Sequence, residues 1–248
     1  MEQQVAVVVG GANGIGRAVV DQLRAQYQQI AVIDYDEEKL QQIPDVEKFV
    51  VDIRDGQAVK AAIDTIEATI GQITALVHVA GVLVVGNLCD CTEEQWDKLF
   101  DVNVKGVFHV TKHVAAYMKQ RQQGNIVVVG SNSASLPRLD IGAYGASKAA
   151  TIRYCQALGL ELAPYGIRCN VVSPGSTFTN MQTSMWQDES GAANVIQGNL
   201  ARYKVGIPLQ KIAEPEDIAN VILFLLSSKA NHITMGNVVV DGGATLGV

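Results

Sequence analysis

The sequence predicts an α/β protein: a single-domain, doubly wound, Rossmann-type parallel sheet of about seven strands, with helices on both faces and a late lid segment. Three observations predict it. Short β-branched runs alternate with longer helical stretches along the chain. The runs are almost continuously apolar rather than alternating, as strands buried on both faces require. No Pro/Gly linker, internal repeat or low-complexity segment interrupts the pattern, so residues 1–248 read as one domain.

The first strand is VAVVV from Val5, running into the glycine-rich turn GGANGIG and a helix over GIGRAVVDQLRAQY. IAVID from Ile30 and KFVVD from Lys48 follow as strands, then a helix over GQAVKAAIDTIEATI. ALVHVA from Ala75 is the next strand, and EEQWDKLFDVNVKGVFHVTKHVAAYMKQ reads as one long helix. NIVVVGS from Asn125, the helix YGASKAATIRYCQALGLELA and the strand IRCNVVSPG from Ile167 continue the alternation. It then breaks between Pro174 and about Lys211, and a stretch that long in a compact domain predicts a lid, over about 176–211. The helix EPEDIANVILFLLSS and the strand NVVVDGG close the pattern.

Composition narrows the partners. Of the 248 residues, 48% are hydrophobic and 18% charged, which suits a packed globule. The net charge of −6 argues against nucleic acid or an anionic membrane surface. The apolar run VILFLL is too short to span a bilayer. Cys89, Cys91, Cys155 and Cys169 lack a secreted framework spacing, and no basic-then-apolar leader opens the sequence, so a cytoplasmic location is expected.

The turn after the first strand points to a nucleotide. Gly10, Gly14 and Gly16 would let the backbone approach a pyrophosphate at a helix N-terminus, although tight turns need glycine in any case. The spacing Gly-x3-Gly-x-Gly departs from the common dinucleotide fingerprint. Asp34 ends the second strand, where a carboxylate could accept the ribose hydroxyls of NAD and repel a 2′-phosphate. Asp52, closing the third, either receives an adenine amine or caps a helix.

Tyr144 and Lys148 lie four apart in YGASK, hence on one helix face. A lysine charge beside a phenol, which otherwise ionises near pH ~10, would lower its pKa and make it a usable base. Taken alone, the pair reads more readily as a packed Tyr and a solvated Lys. Neighbouring motifs decide the matter.

GGANGIG, Asp34, VDI at Val51, Ala80–Gly81, VNVKG with Asn103, Ser131 thirteen positions before Tyr144, YGASK, PGSTFT from Pro174 and the terminal VVDGG occur in the order and spacing of one family. Over nearly its whole length the chain resembles the short-chain dehydrogenases/reductases. The resemblance implies a catalytic set of Asn103, Ser131, Tyr144 and Lys148. NAD would be held by Gly10, Asn13, Gly14, Ile15, Gly16, Asp34, Asp52, Ile53, Ala80, Gly81, Tyr144, Lys148, Pro174, Gly175, Thr177 and Thr179. Lys148 would bind the nicotinamide ribose, and Asn103 would fix a water linking Lys148 to solvent. A homotetramer using the long helices is expected.

Further runs, ELA..GIRCNVVSPGST, GIPLQKIA and DGGATLG among them, resemble a branch that oxidises a small anionic cyclic dihydrodiol to a catechol for siderophore assembly. That substrate would meet Ser131, Tyr144 and, for its carboxylate, Arg138 in the loop after Ser131. Met181, Gln182 and Trp186 would cover the ring. The alternatives are another dehydrogenase of the family, such as an acyl-carrier ketoreductase or a sugar or cyclic alcohol dehydrogenase, or a non-catalytic NAD sensor. Asp34 disfavours NADPH-linked reductases, Arg138 disfavours neutral substrates, and an intact catalytic set disfavours the sensor.

Two departures from the family pattern stand out. Val9 replaces a Thr, and His78 and Val79 replace an Asn-rich turn. Val9 is expected to pack against Val79. No metal is expected: His109 and His113 have zinc-compatible spacing but no third ligand nearby, and Cys89-x-Cys91 is poor zinc spacing. Trp96 and Phe100 read as core or interface.

Overall fold

The structure, a computed structural model, describes residues 3–186, 188 and 190–247. Its strands are β1 (Gln4–Val9), β2 (Gln29–Asp34), β3 (Glu47–Val50), β4 (Gln72–His78), β5 (Gly124–Val129), β6 (Ile167–Pro174) and β7 (Asn237–Val240). They form one all-parallel sheet in the order β3-β2-β1-β4-β5-β6-β7. The chain starts at the middle and winds outward twice, so the order reverses between β1 and β4. The crevice beyond their carboxyl ends is where an open α/β sheet binds ligands.

Each face of the sheet is buried, which explains the continuous apolar runs. Val5, Val7 and Val9 face the layer formed by α3 (Gly56–Thr69), α5 (Val107–Arg121) and α6 (Gly142–Leu162). Ala6 and Val8 face the layer formed by α1 (Gly14–Leu23) and α9 (Pro215–Leu226), and a short α2 (Glu37–Gln41) follows β2. This alternation corrects the expected Val9–Val79 contact. Val9 packs in the first layer, whereas Val79 packs against the second. Val9 instead stands in register with His78, which is 1% exposed with Nε2 unpartnered among the described residues. Burial, reinforced by the charge of Lys148, pushes the His78 imidazole down to about 3.

The long helix is not continuous. α4 (Glu93–Phe100), opened by a Thr92–Gln95 capping box, passes into a wider π-helical turn over Asp101–Gly106 before α5 begins. The cause is Asn103, whose side chain leaves the helix for the end of β4: Oδ1 accepts from the Val82 N–H at 2.8 Å, and Nδ2 donates to the Val82 carbonyl and to Ser147 Oγ. Trp96 is not core. It is 40% exposed and stacks on Phe100 with centroids 4.6 Å apart.

The late segment carries its own short elements, α7 (Asn180–Thr183), α8 (Gly191–Gln197) and a 3-10 turn over Leu200–Arg202. It packs on a small separate cluster of Ile207, Ile212 and Ala244. Among the described residues no helix is long and apolar enough to cross a membrane.

Candidate active site

A cavity of about 1020 Å³ opens along the carboxyl ends of the strands. At one end lies the turn after β1. Gly10 has φ 80°, and a Cβ there would sit 2.5 Å from the Ala80 nitrogen, so only glycine lets β1 and β4 meet at the crevice. Gly16 does a different job from the one expected. It is absent from the cavity wall, and its missing Cβ makes room for the Gly10 carbonyl, which would lie 2.0 Å away. Asn13 caps α1 by accepting from Gly14 N–H, and Asn13, Gly14 and Ile15 line the cavity at that N-terminus.

Asp34 is fixed by two backbone donors: Oδ2 accepts from Ala12 at 3.0 Å and Oδ1 from Asp36 at 3.1 Å. The carboxylate therefore faces the cavity in one orientation. Lys39 and Arg54 line the same end, but Lys39 is paired with Asp36, and Arg54 grips Asp52 with Nε and Nη2. Asp52 also accepts the Arg54 N–H, so part of its accepting capacity is taken while the carboxylate still lines the cavity. Ile53 lines the cavity, and its carbonyl bonds to His109 Nδ1 at 2.9 Å. Ala80 and Gly81 form the facing wall.

On the opposite rim, Pro174 and Gly175 leave β6, and the chain is held by Thr177 pairing with Ala213. The Thr177 hydroxyl donates to Gly175 O, and Thr179 caps α7; both line the cavity. Thr179 approaches the first turn so closely that a Cβ on Gly14 would lie 3.0 Å from its methyl. The result is a backbone cradle with a helix N-terminus, glycine-lined walls and a fixed carboxylate at the far end, which fits a dinucleotide.

Ser131, Tyr144 and Lys148 meet in the floor. Ser131 Oγ lies 2.8 Å from Ser133 Oγ and accepts the Ser133 N–H. Lys148 is 4% exposed, and its Nζ donates to the Val129 carbonyl at 2.9 Å and stands 5.9 Å from the Tyr144 ring centroid. Burial pushes Lys148 down to about 8. Burial also raises the Tyr144 phenol, with the Ser131 hydroxyl opposing that rise. The expected lowering of Tyr144 by Lys148 does not set the direction: burial raises the phenol, and Ser131 is what opposes it. Asn103 does not reach the cavity wall. Fully buried, it sits between Val82 and Ser147, and its carbonyl accepts from Thr151. It can position the helix that carries Tyr144 and Lys148 rather than touch a ligand.

Arg138, Met181, Gln182 and Trp186 line the outer part of the cavity. Arg138 Nε is screened from solvent and without an acceptor among the described residues; burial lowers its pKa, and the charge of Asp241 opposes that. Trp186 is wedged edge-on against Phe178, 5.8 Å between centroids, and over Gly191, so it props the lid.

Sequence reasoning missed Asp241, which served only as a landmark in VVDGG. Its carboxylate accepts from Asn132 Nδ2, the Gly243 and Thr245 N–H groups and the Thr245 hydroxyl. Burial raises its pKa, but these hydrogen bonds outweigh it and hold the group below the usual carboxylate range. Only the pairing of the terminal DGG with a loop a hundred residues earlier reveals the role.

The family model that matches residues 10–245 is described as enoyl-(acyl carrier protein) reductase. The chain is 48% identical over its full length to the 2,3-dihydro-2,3-dihydroxybenzoate dehydrogenase of Bacillus subtilis (strain 168), covering 98% of that protein. It is 40% identical to the enzyme of the same name from Escherichia coli (strain K12), over 97% of this chain and 96% of the other. Among solved structures, the crystal structure of gox2181 superposes with a TM-score of 0.88 at 29% identity, covering 99% of this chain and 97% of that one.

Proposed function

The chain belongs to the short-chain dehydrogenase/reductase family, and from that premise we propose that it oxidises 2,3-dihydro-2,3-dihydroxybenzoate to 2,3-dihydroxybenzoate, for siderophore biosynthesis, with NAD as hydride acceptor. One observation carries the reading: Tyr144, Ser131 and Lys148 share a cavity with a partly buried Arg138 whose Nε lacks an acceptor among the described residues. Proton-transfer groups and a cation for a carboxylate thus face the same space.

The dinucleotide would be held by the Gly10–Gly14 turn, Asp34, Ile53, Ala80–Gly81 and Pro174–Thr179, and it supplies the hydride acceptor. Asp34 supports NAD over NADP, since a 2′-phosphate would meet an oriented carboxylate while the adjacent cations are paired with Asp36 and Asp52. Tyr144, as phenolate, accepts the proton of the ring hydroxyl being oxidised. Ser131 donates to the same oxygen and fixes its direction, and Lys148 stabilises the phenolate and hands the proton onward. The carbonyl formed in the cyclohexadiene ring tautomerises to the aromatic catechol, which drives the oxidation forward. Arg138 anchors the carboxylate, with Met181 and Gln182 over the ring. A homotetramer built on the long helices is supported by the exposed Trp96–Phe100 stack and by Phe108, 41% exposed, on α5. Four free thiols suit the cytoplasm.

Mixing the purified chain with NAD and the dihydrodiol acid should yield NADH and the catechol acid in equal amounts. Absence of both products, with the cofactor bound, would overturn the proposal.

A further inference from the structure

The lid contains a closed loop that brings a second cation to the substrate end of the cavity. Asn199 and Lys204 exchange both backbone hydrogen bonds, at 2.8 and 3.0 Å, so residues 199–204 form a tight loop. Its base is pinched: a Cβ on Gly198 would lie 2.4 Å from the Gly206 nitrogen. Tyr203 inside the loop is left-handed at φ 54°, and Asp140, on the loop after Ser131, is left-handed at φ 64°. Such backbone costs energy and persists where the surroundings enforce it. An ion pair between Arg202 and Asp140 latches the lid loop onto the Arg138 loop.

That latch uses Arg202 and leaves Arg138 and Lys204 facing the cavity. Neither Arg138 nor Lys204 has an ion-pair partner among the described residues. Both are partly buried. Burial, then the charges of Arg138 and Arg202, lower the Lys204 pKa, with Asp140 acting the other way. In a chain of net charge −6, like charges crowded into a half-desolvated corner are stabilised by an anion between them.

We propose that Lys204 is a specificity-determining residue that, together with Arg138, forms a two-cation anchor for the substrate carboxylate. The anchor rests on the dihydrodiol-acid reading and deepens it. Because Arg138 comes from the fixed loop and Lys204 from the lid, an anion bridging them couples recognition of the carboxylate to lid closure.

The test is calorimetric titration of the full chain, saturated with NAD, with 2,3-dihydroxybenzoate and separately with catechol, which lacks the carboxylate. Wild type should prefer the acid. In Lys204→Met that preference should shrink by about 10- to 100-fold, the range of a charge-assisted bond, with catechol and NAD affinities unchanged. Lys204→Arg should restore most of it. A Met variant that keeps the wild-type acid-to-catechol ratio overturns the role of Lys204 while leaving the enzyme's function standing. An Arg variant that behaves like the Met variant overturns it too, since charge would then not be what matters. Should Lys204→Met fail to bind NAD, Lys204→Gln is read in its place. Wild-type indifference to the carboxylate would overturn the functional reading and the anchor together.

Discussion

Asn132 Nδ2 donates to Asp241 Oδ2 at 3.1 Å, joining positions 109 residues apart and tying the loop behind Ser131 to the C-terminal Asp-Gly-Gly turn. Asp241 accepts further bonds from Gly243 and Thr245, so it fastens the last strand's exit to the proposed catalytic loop. Asp241→Ala leaves these donors unpaired and should cost about 2–4 kcal/mol of stability by urea unfolding. It should also lower kcat more than it raises the KM for NAD. Unchanged stability and kcat would show that the turn is not a fastener.

Cofactor choice should follow Asp34. With both carboxylate oxygens oriented by backbone amides, a 2′-phosphate meets an immobile like charge, and kcat/KM for NAD should exceed that for NADP by at least about 10-fold. Asp34→Asn should narrow the gap. Equal wild-type efficiency with the two cofactors would contradict the assignment.

The Tyr144–Lys148 pair should govern the pH profile. Oxidation needs the pair to have lost one proton, so kcat/KM should rise with pH. The midpoint should fall near the value of about 8 to which burial pushes Lys148. The proton is assigned to the pair rather than to one residue, because Lys148 Nζ stands 5.9 Å from the Tyr144 ring centroid. A profile flat between roughly pH 6 and 9.5 would separate the pair from the chemistry.

His78 should make the protein acid-sensitive. Its folded pKa of about 3 lies below the unfolded value of 6.5, so between them the unfolded chain holds the extra proton. Stability should therefore fall as pH drops from about 6.5 toward 3, by up to roughly 4 kcal/mol from this group. His78→Asn, the residue type usual in the family, should flatten that limb in unfolding experiments across this range. An equally steep limb in the variant would place the acid sensitivity elsewhere.

How far the sequence was legible depended on whether each feature was local. Val5–Val9 could be read as a doubly buried strand because a parallel sheet needs an unbroken apolar run, which one segment shows. Tyr144 and Lys148 were legible through helical spacing and the family motif. The break at Asp101–Gly106 was not, since it arises from Asn103 bonding to Val82, 21 residues away, and to Ser147, 44 away. Val9 and Val79 lie in different layers because strand faces alternate strictly, which adjacency in a motif does not show. Lys204 carried no signal in its own neighbourhood. A hairpin closure and an Arg202–Asp140 pair across 62 positions bring it to the cavity.

In the proposed reaction Tyr144 is the base that oxidises an anionic dihydrodiol in this cavity. The most direct measurement is release of 2,3-dihydroxybenzoate from 2,3-dihydro-2,3-dihydroxybenzoate and NAD by wild type and by Tyr144→Phe. The Phe variant keeps the ring and removes the proton acceptor. Its kcat should fall by about 10²-fold or more, while its affinity for NAD stays near that of wild type. A Tyr144→Phe enzyme that releases the product at close to the wild-type rate would show that another group is the base.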